Sequence, residues 1–174
     1  MVGLNILRKK KKFPEVILGK NIYLTFHDIT PLHITDMIEL EEANPNFKKY
    51  LVINYKDEIS ARAYIEERLQ LAKKGKFIDY AIHINSGKTI GGINIINKGY
   101  KELNLVYFID KNFQRNGFAS EALNLIETTA QKLGFKKIFI EIDLGNEASL
   151  QFTKKHKFNF YTLYEDSVIA YKNI

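Results

Sequence analysis

Hydrophobic residues alternate with polar ones in some segments of the chain and recur at helical spacing in others, which predicts strands and helices respectively. KNIYLTFHDI, residues 20–29, alternates and predicts a strand. TPLHITDMIELEEA, residues 30–43, predicts a helix capped by Thr30, and KDEISARAYIEERLQLAKKGK, residues 56–76, predicts a longer helix capped by Asp57. The side chains expected to face inward are Leu32, Ile34, Met37, Ile38 and Leu40 in the first helix and Ile59, Ala63, Ile65, Leu69 and Ala72 in the second.

Three strands are predicted next, because three alternating segments follow one another with only short connections between them. They are FIDYAIHIN at residues 77–85, TIGGINIIN at residues 89–97 and ELNLVYFID at residues 102–110. The connections NSGK and KGYK are short and contain glycine, as hairpin turns commonly do. We therefore expect an antiparallel meander.

A crossover helix and four further elements complete the pattern. GFASEALNLIETTAQKLG, residues 117–134, keeps a helical period through Ala119, Ala122, Leu123, Ile126, Ala130 and Leu133. The remaining segments predict a strand at residues 135–143, a shorter helix at residues 147–156, and strands at residues 158–163 and 167–172. ELNLVYFID, the helix and the strand after it form a crossover unit, in which ligands bind where a strand ends and the next helix begins.

This order of elements predicts a single α/β domain with one mixed, mostly antiparallel sheet of about seven strands and about four flanking helices. A chain of 174 residues, of which 45% are hydrophobic, is long enough for one such core. The domain is expected over residues 20–174. It follows a basic tail at residues 1–19, which contains the block RKKKK at residues 8–12.

The composition indicates the cellular compartment of the protein and the charge of its ligand. The chain has no cysteine, which excludes disulfides, thiolate catalysis and cysteine-based zinc sites and favours a reducing compartment. No apolar run is long enough to span a membrane, and the first residues place their charges after a short apolar piece, the reverse of a signal peptide, so we expect a soluble cytoplasmic protein. The net charge of +6 suggests an anionic ligand. We interpret the block at residues 8–12 as a solvated tail, with attachment to RNA or a membrane as the alternative.

The segment NFQRNGFASEALNL, residues 112–125, places a glycine and two small residues at the start of the crossover helix. Backbone N–H groups at a helix start bind phosphate, and the helix dipole assists them. The alternative is that Gly117 only makes a tight turn, because short glycine patterns are common. If the turn holds phosphate, the residues that contribute are Gln114, Arg115, Asn116, Gly117, Phe118, Ala119 and Ser120.

Two motifs resemble those of a known family. QRNGFA at residues 114–119 resembles the acyl-CoA pyrophosphate loop of the Gcn5-related N-acetyltransferases, the GNAT family. That loop has Gln or Arg, two variable residues, Gly, one variable residue, and Gly or Ala. NEASLQFTKKHKF resembles the family's next motif, in which an asparagine contacts the pantetheine arm; the matching residues are Asn146, Ser149 and Phe158. The early segments are most similar to the RimJ/RimL branch, which acetylates protein N-termini, and to its polyamine- and drug-modifying relatives.

The resemblance implies an enzyme that binds acetyl-CoA and transfers the acetyl group directly to an amine, without a covalent enzyme intermediate. A backbone N–H of Phe108 or Ile109 would stabilise the oxyanion. The acceptor would be a protein N-terminus, or a small amine such as a polyamine or aminoglycoside. The rival is a non-catalytic domain that binds acyl-CoA or RNA. The cofactor-binding residues implied are Phe108, Ile109, Gln114, Arg115, Asn116, Gly117, Phe118, Ala119, Ser120, Asn146, Ser149, Phe152 and Lys155.

At two positions the sequence departs from the family's pattern, so the identities of the general base and the general acid are left open. Asn104 stands where many members carry glutamate, and strand alternation puts Glu102 on the same face, as a candidate base or as a solvated strand-end carboxylate. Thr153 stands where many members carry the tyrosine that protonates the departing CoA thiolate. Either Tyr107 or Tyr164 serves as the acid instead, or the thiolate leaves unassisted. The candidate catalytic residues are therefore Glu102, Asn104 and Tyr107.

The remaining motifs do not predict a second chemistry. The four histidines lack the spacing of metal ligands, so no metal is expected. SGKT at residues 86–89 is followed by a strand pattern rather than a helix, which favours a hairpin over a nucleotide-binding loop. The sequence leaves a monomer and a homodimer equally open.

Overall fold

The computed structural model describes residues 12–27, 30–44 and 57–174, so the basic block before Lys12 lies outside the described residues. The described strands are β1 (Val16–Leu18), β2 (Ile22–Phe26), β3 (Phe77–Ile84), β4 (Thr89–Gly99), β5 (Glu102–Ile109), β6 (Lys137–Asp143), β7 (Asn159–Leu163) and β8 (Ser167–Asn173). The described helices are α1 (Pro31–Ala43), α2 (Glu58–Lys73), α3 (Phe118–Leu133) and α4 (Glu147–Lys155), with a 3₁₀ turn at Lys111–Phe113.

The strands form one sheet in the order β1-β2-β3-β4-β5-β6-β8-β7. All neighbouring pairs are antiparallel except β5 and β6, which run parallel because α3 crosses between them. The predicted α/β fold with a mixed, mostly antiparallel sheet is confirmed. The sheet has eight described strands rather than seven.

The additional strand, β1, lies in the segment that the sequence pattern assigned to the tail. It pairs antiparallel with β2, and Phe13 and Ile17 are buried. The turn between β1 and β2 is held by α3, because the Glu121 carboxylate accepts hydrogen bonds from the N–H groups of Lys20 and Asn21. The folded part of the chain therefore begins before residue 20. A strand of three residues is too short to show an alternation of its own.

The helices cover both faces of the sheet. The buried side chains of α3 pack with one set of strand residues, which in β5 includes Leu103 and Leu105. The side chains of α1 and α2 pack on the opposite face, where β5 contributes Val106 and Phe108. Strand alternation thus decides which side chains of β5 belong to which layer.

The helix starts confirm two predicted caps and correct one predicted face. Thr30 accepts a hydrogen bond from the third residue of α1, and Asp57 forms a reciprocal capping box with Ser60 at the start of α2. The prediction that Ile59 and Ala63 face inward was wrong, since Ile59 is 80% exposed and Ala63 is exposed as well. The buried stripe of α2 runs through Ala61 and Ile65, and Ile59 lies in the first turn on a different side of the helix.

Candidate functional site

The site begins where β5 and β6 separate. The two strands pair over Glu102–Lys137, Leu103–Ile138 and Asn104–Phe139, and their pairing ends there. β5 nevertheless continues to Ile109, while β6 continues to Asp143 in register with β8. The carboxyl-terminal half of β5 therefore has a backbone edge that faces a fork rather than a neighbouring strand.

The backbone groups at this edge can be assigned from hydrogen bonds at the end of β5. The N–H of Asp110 donates to the carbonyl of Ile90 in β4. Because adjacent residues of a strand point their N–H groups in opposite directions, the N–H of Phe108 also points to β4. The N–H groups of Tyr107 and Ile109 therefore point into the fork.

Two further bonds agree with this assignment. At the other end of β5 the carbonyl of Lys101 accepts from the N–H of Lys136, on the β6 side. The Gln114 amide donates to the carbonyl of Ile109 at 3.0 Å. Of the two oxyanion donors that the sequence proposed, Ile109 fits the fork and Phe108 does not, because its N–H is directed at β4.

A turn with two left-handed residues joins β5 to α3. Arg115 has a φ of 62° and Gly117 a φ of 84°. Gly117 is the N-cap of α3, and no side chain caps this helix. The N–H groups of the first turn, in Phe118, Ala119 and Ser120, consequently point at the cavity as donors for an anion. The left-handed turn and the helix start together make a concave, electropositive backbone surface.

The first turn of α4 and β5 form the opposite wall. The Asn146 side chain caps α4 by accepting from the N–H of Ser149 at 3.1 Å. The Ser149 Oγ lies 3.0 Å from the Tyr107 hydroxyl, and the Tyr107 ring packs on Phe152 with centroids 4.8 Å apart. Burial raises the pKa of Tyr107 to about 12, although the hydrogen bond with Ser149 lowers it in part. The phenol is therefore protonated at neutral pH.

A hydrogen bond between side chains joins the two helices that border this site. The Ser120 Oγ is 2.8 Å from the His156 Nε2, which ties the start of α3 to the end of α4. The His156 ring also lies 4.4 Å from the Phe152 ring, measured between centroids. Burial, followed by the positive charge of Lys172, lowers the pKa of His156, so this imidazole is neutral at pH 7. The contact positions the two helices that form the cavity walls.

The walls surround an open cavity of about 710 Å³, a size typical of small-molecule sites. All the predicted cofactor-binding residues except Asn116 line it, as does Tyr107. Sequence reasoning missed Phe113, Glu147, Ala148 and Gln151, which also line it. Ala148 and Gln151 lie one helical turn before the predicted Phe152 and Lys155, so the helical period could have found these two, whereas Glu147 has no such relation to a predicted residue.

The charges of the cavity suit an anionic ligand with a polar end and an uncharged arm. Arg115 and Lys155 line it as cations, and Glu147 is the one carboxylate among the described lining residues. Toward the fork the lining becomes apolar and aromatic through Tyr107 and Phe152. These features fit acetyl-CoA, whose phosphates would lie at the helix start and whose pantetheine arm would lie along β5.

Several predicted residues lie outside the cavity. The Asn116 amide donates to the carbonyls of Phe113 and Gln114 at 3.3 and 3.1 Å, which supports the turn from within. Glu102 and Asn104 lie in the paired half of β5, and Glu102 forms an ion pair of 3.7 Å with Lys137. A catalytic role for either residue stays a prediction.

Thr153, which replaces the family's tyrosine, and Tyr164, a candidate acid, both lie away from the cavity. Thr153 is fully buried, and its hydroxyl donates to the carbonyls of Ser149 and Leu150 within α4. Tyr164 is 52% exposed and does not line the cavity. Tyr107 is thus the tyrosine that the fold brings to the fork.

The described residues contain no cluster of histidine and carboxylate side chains arranged to hold a metal ion. In the same part of the chain, none of the helices combines the length and the apolar character needed to cross a membrane.

The sequence matches the family described as acetyltransferase (GNAT) domain over residues 24–159, most of the chain. A comparison with curated proteins gave no match.

Solved structures share the whole fold at low sequence identity. RimL, a ribosomal L7/L12 alpha-N-protein acetyltransferase solved with coenzyme A, has a TM-score of 0.80 at 18% identity, covering 92% of this chain and 98% of that one. RimJ of Mycobacterium smegmatis, solved with a CoA disulfide, has a TM-score of 0.76 at 13% identity, covering 92% and 88%. The microcin C7 self-immunity acetyltransferase MccE, with acetyl-CoA and AMP, has a TM-score of 0.73 at 18% identity, covering 90% and 94%. At these identities the likeness shows the fold.

Proposed function

Because the chain belongs to the acetyltransferase (GNAT) domain family, we propose that it transfers an acetyl group from acetyl-CoA to the α-amine of a protein N-terminus. The observation that supports this proposal is that two features line the same cavity. The uncapped start of α3 supplies donors for the cofactor phosphates, and the fork beside Tyr107 and Ile109 supplies backbone donors for the reacting end.

The phosphate end would be held mainly by backbone groups. The N–H groups of the first turn of α3 donate without losing side-chain entropy, and the helix dipole adds to their attraction for phosphate. Arg115 and Lys155 add two cations at the rim of the cavity. Gln114, which donates to the carbonyl of Ile109, fixes the turn against the end of β5.

Acetyl-CoA supplies the acetyl group as a thioester. In the transfer a C–N bond forms, the C–S bond breaks, and one proton passes from the amine to the departing sulfur. The N–H groups of Tyr107 and Ile109, directed into the fork, would stabilise the negative charge that develops on the carbonyl oxygen. A backbone donor held by a sheet needs no reorganisation during the reaction.

The hydroxyl pair of Tyr107 and Ser149 would deliver the proton to sulfur. The two oxygens are 3.0 Å apart in the cavity wall, so either hydroxyl can donate to the ligand while the other resupplies it. Since the pKa of Tyr107 is about 12, the phenol keeps its proton over the whole range in which the protein would work. Tyr107 lines the cavity and Tyr164 does not, which supports Tyr107 as the acid.

An α-amine needs little help from a base. Its ordinary pKa is about 8, so roughly a tenth of it is already free base at pH 7, whereas lysine and polyamine nitrogens are almost wholly protonated. The described lining of the cavity offers only the exposed Glu147 as a carboxylate. This favours an acceptor that deprotonates through water, and it agrees with the alpha-N-protein acetyltransferases that share the fold.

A paired acceptor assay tests this function. The purified protein is incubated with acetyl-CoA and a lysine-containing peptide that has either a free or a blocked N-terminus, with spermidine as a third acceptor, and thiol release is followed. We expect release with the free N-terminus alone. Release with spermidine or with the blocked peptide would replace the proposed acceptor, and binding of acetyl-CoA without any release would favour a non-catalytic acyl-CoA domain.

A further inference from the structure

We propose that the end of the sheet opposite the cavity binds single-stranded RNA through a lysine-rich surface. Three turns build this surface, which we call the basic end: KKGK at residues 73–76, KGYK at residues 98–101 and KLGFKK at residues 132–137. They connect α2 to β3, β4 to β5 and α3 to β6. This proposal is independent of acetyl transfer, because no residue of the basic end lines the cavity.

Backbone bonds join the three turns side by side. The N–H of Asn97 donates to the carbonyl of Lys76 at 3.0 Å, and the Asn97 amide donates to the carbonyl of Gly75 at 3.4 Å. The N–H of Lys136 donates to the carbonyl of Lys101 at 2.8 Å. The turns are therefore one continuous surface rather than three separate loop tips.

The charge of this surface has one sign. The basic end carries eight of the chain's 26 basic residues, and none of its three turns contains an acidic one. The neighbouring carboxylate of Glu102 is already paired with Lys137 at 3.7 Å. The lysines are Lys73, Lys74, Lys76, Lys98, Lys101, Lys132, Lys136 and Lys137, and all except Lys137 are exposed. A cluster of this kind attracts polyanions and repels cations.

An exposed aromatic ring selects nucleic acid among the polyanions. Tyr100 is 97% exposed in the middle of the basic end, flanked by Lys98 and Lys101. Tyr100 and Lys101 have φ values of 49° and 65°, so the tight hairpin turn presents the ring to solvent. Single-stranded nucleic acids bind where lysines follow the phosphates and an aromatic ring stacks on a base. An acidic protein would need no such ring, and a membrane would need more than one apolar side chain.

The described start of the chain packs beside the same surface. Phe13 packs against Phe135, a residue of the third turn, with ring centroids 6.0 Å apart. Lys12, which precedes Phe13, is exposed and adds one further basic side chain beside the basic end.

Charge reversal in each turn tests the surface. We compare Lys74→Glu/Lys98→Glu/Lys136→Glu with a matched triple of exposed lysines elsewhere, Lys20→Glu/Lys111→Glu/Lys157→Glu. The readout is fluorescence anisotropy of a labelled twelve-nucleotide oligouridine with the full chain. We expect at least a tenfold loss of affinity in the first triple and less than threefold in the second. The slope of log K against log salt should fall by about 2 in the first, at roughly 0.7 for each lost contact.

Tyr100→Ala distinguishes RNA from other polyanions. Loss of a stacked ring should weaken oligouridine binding about fivefold or more and leave heparin binding unchanged, because heparin has no bases. Equal losses in the two triples, or an unchanged affinity of Tyr100→Ala for oligouridine, would overturn the proposal. So would tighter binding to phosphatidylserine vesicles than to RNA. Thermal melting and acetyl-CoA titration of each variant show that the fold is retained.

Discussion

At the scale of single residues, the hydroxyl pair of Tyr107 and Ser149 has the most specific proposed role, protonation of the departing sulfur. Tyr107→Phe removes the proposed acid while keeping the ring packed on Phe152. We expect turnover to fall roughly a hundredfold, the usual worth of general acid catalysis, and acetyl-CoA affinity to change less than threefold. Steady-state kinetics with calorimetric titration separates the two effects. A variant that turns over normally would show that the thiolate leaves without this acid.

Glu102 offers a residue-scale test of the base. If the α-amine loses its proton to water, kcat/KM should rise with pH up to about 8 and then level, following the pKa of the acceptor. Glu102→Gln should leave that profile unchanged. It should cost less than about 1 kcal/mol of stability, because the carboxylate is part of a half-exposed ion pair with Lys137. A variant with a displaced profile and normal cofactor affinity would instead identify Glu102 as the base.

Local sequence predicts the residues of the turn well but not their partners. Gly117 could be named in advance because its role depends on neighbours within three residues, as that of a helix cap does, whereas Asn146 was named from its resemblance to a family motif. The contact between Tyr107 and Ser149 joins residues 42 positions apart, so no local pattern reveals it. Nor does the sequence state where β5 and β6 stop pairing, since both strands remain hydrophobic and alternating beyond the fork.

At the scale of elements, the approach of β4 to the end of β5 shapes the cavity. Gly91 pairs with Ile109, and a Cβ at residue 91 would overlap the Phe108 carbonyl oxygen and lie 3.1 Å from the Ile109 Cα. Gly91→Ala should therefore displace the residues that line the fork. We expect a loss of about 1–3 kcal/mol in the free energy of unfolding, typical of overpacking, together with weaker acetyl-CoA binding.

A matched substitution separates the two effects of Gly91→Ala. Gly99 lies in the same strand, and a Cβ there meets no atom within 4 Å, although its φ of 80° makes any substitution strained. Gly99→Ala should thus reduce stability without reducing cofactor affinity. If Gly91→Ala loses stability and still binds acetyl-CoA normally, the end of β5 is not the wall on which the cofactor lies.

At the scale of the whole molecule, a buried histidine couples stability to pH. Burial, followed by the charge of His33, lowers the pKa of His27 to about 3; His83 and Arg68 act in the same direction and Asp79 opposes them. The unfolded chain binds this proton at pH 6.5 and the folded one does not. Stability is therefore complete above pH 6.5 and falls as the pH drops toward 3, by about 1.4 kcal/mol per pH unit and roughly 5 kcal/mol at most.

Urea unfolding between pH 4 and 7 measures this coupling. His27→Asn keeps a polar atom near the position of Nδ1, which lies 2.7 Å from the His33 Nε2. The variant should be less stable than the wild type at pH 7, and the difference should close as the pH falls. A constant difference over this range would mean that His27 is not the group that titrates.

The molecule as a whole places the two proposed binding sites at opposite ends of one sheet. The cavity lies at the carboxyl end of β5 and the basic end lies at its start. The hydrophobic pattern predicted the α/β class and the order of elements because both depend on local periods. It could not predict that KKGK, KGYK and KLGFKK meet, since turns distant in sequence come together only through the order of the strands.

Calorimetric titration with acetyl-CoA tests the central claim, that the uncapped start of α3 holds the cofactor. The comparison uses the wild type, Gly117→Glu and Gly134→Glu. Both glycines are left-handed, with φ values of 84° and 91°, both have open space around a built Cβ, and they lie at opposite ends of the same helix. Each substitution should cost about 1–2 kcal/mol through backbone strain.

Only Gly117 lines the cavity, so a carboxylate there would oppose the phosphates. We expect the wild type and Gly134→Glu to bind acetyl-CoA alike, and Gly117→Glu to lose at least a hundredfold in affinity while remaining folded. Normal binding by Gly117→Glu, or an equal loss in the two variants, would contradict this expectation.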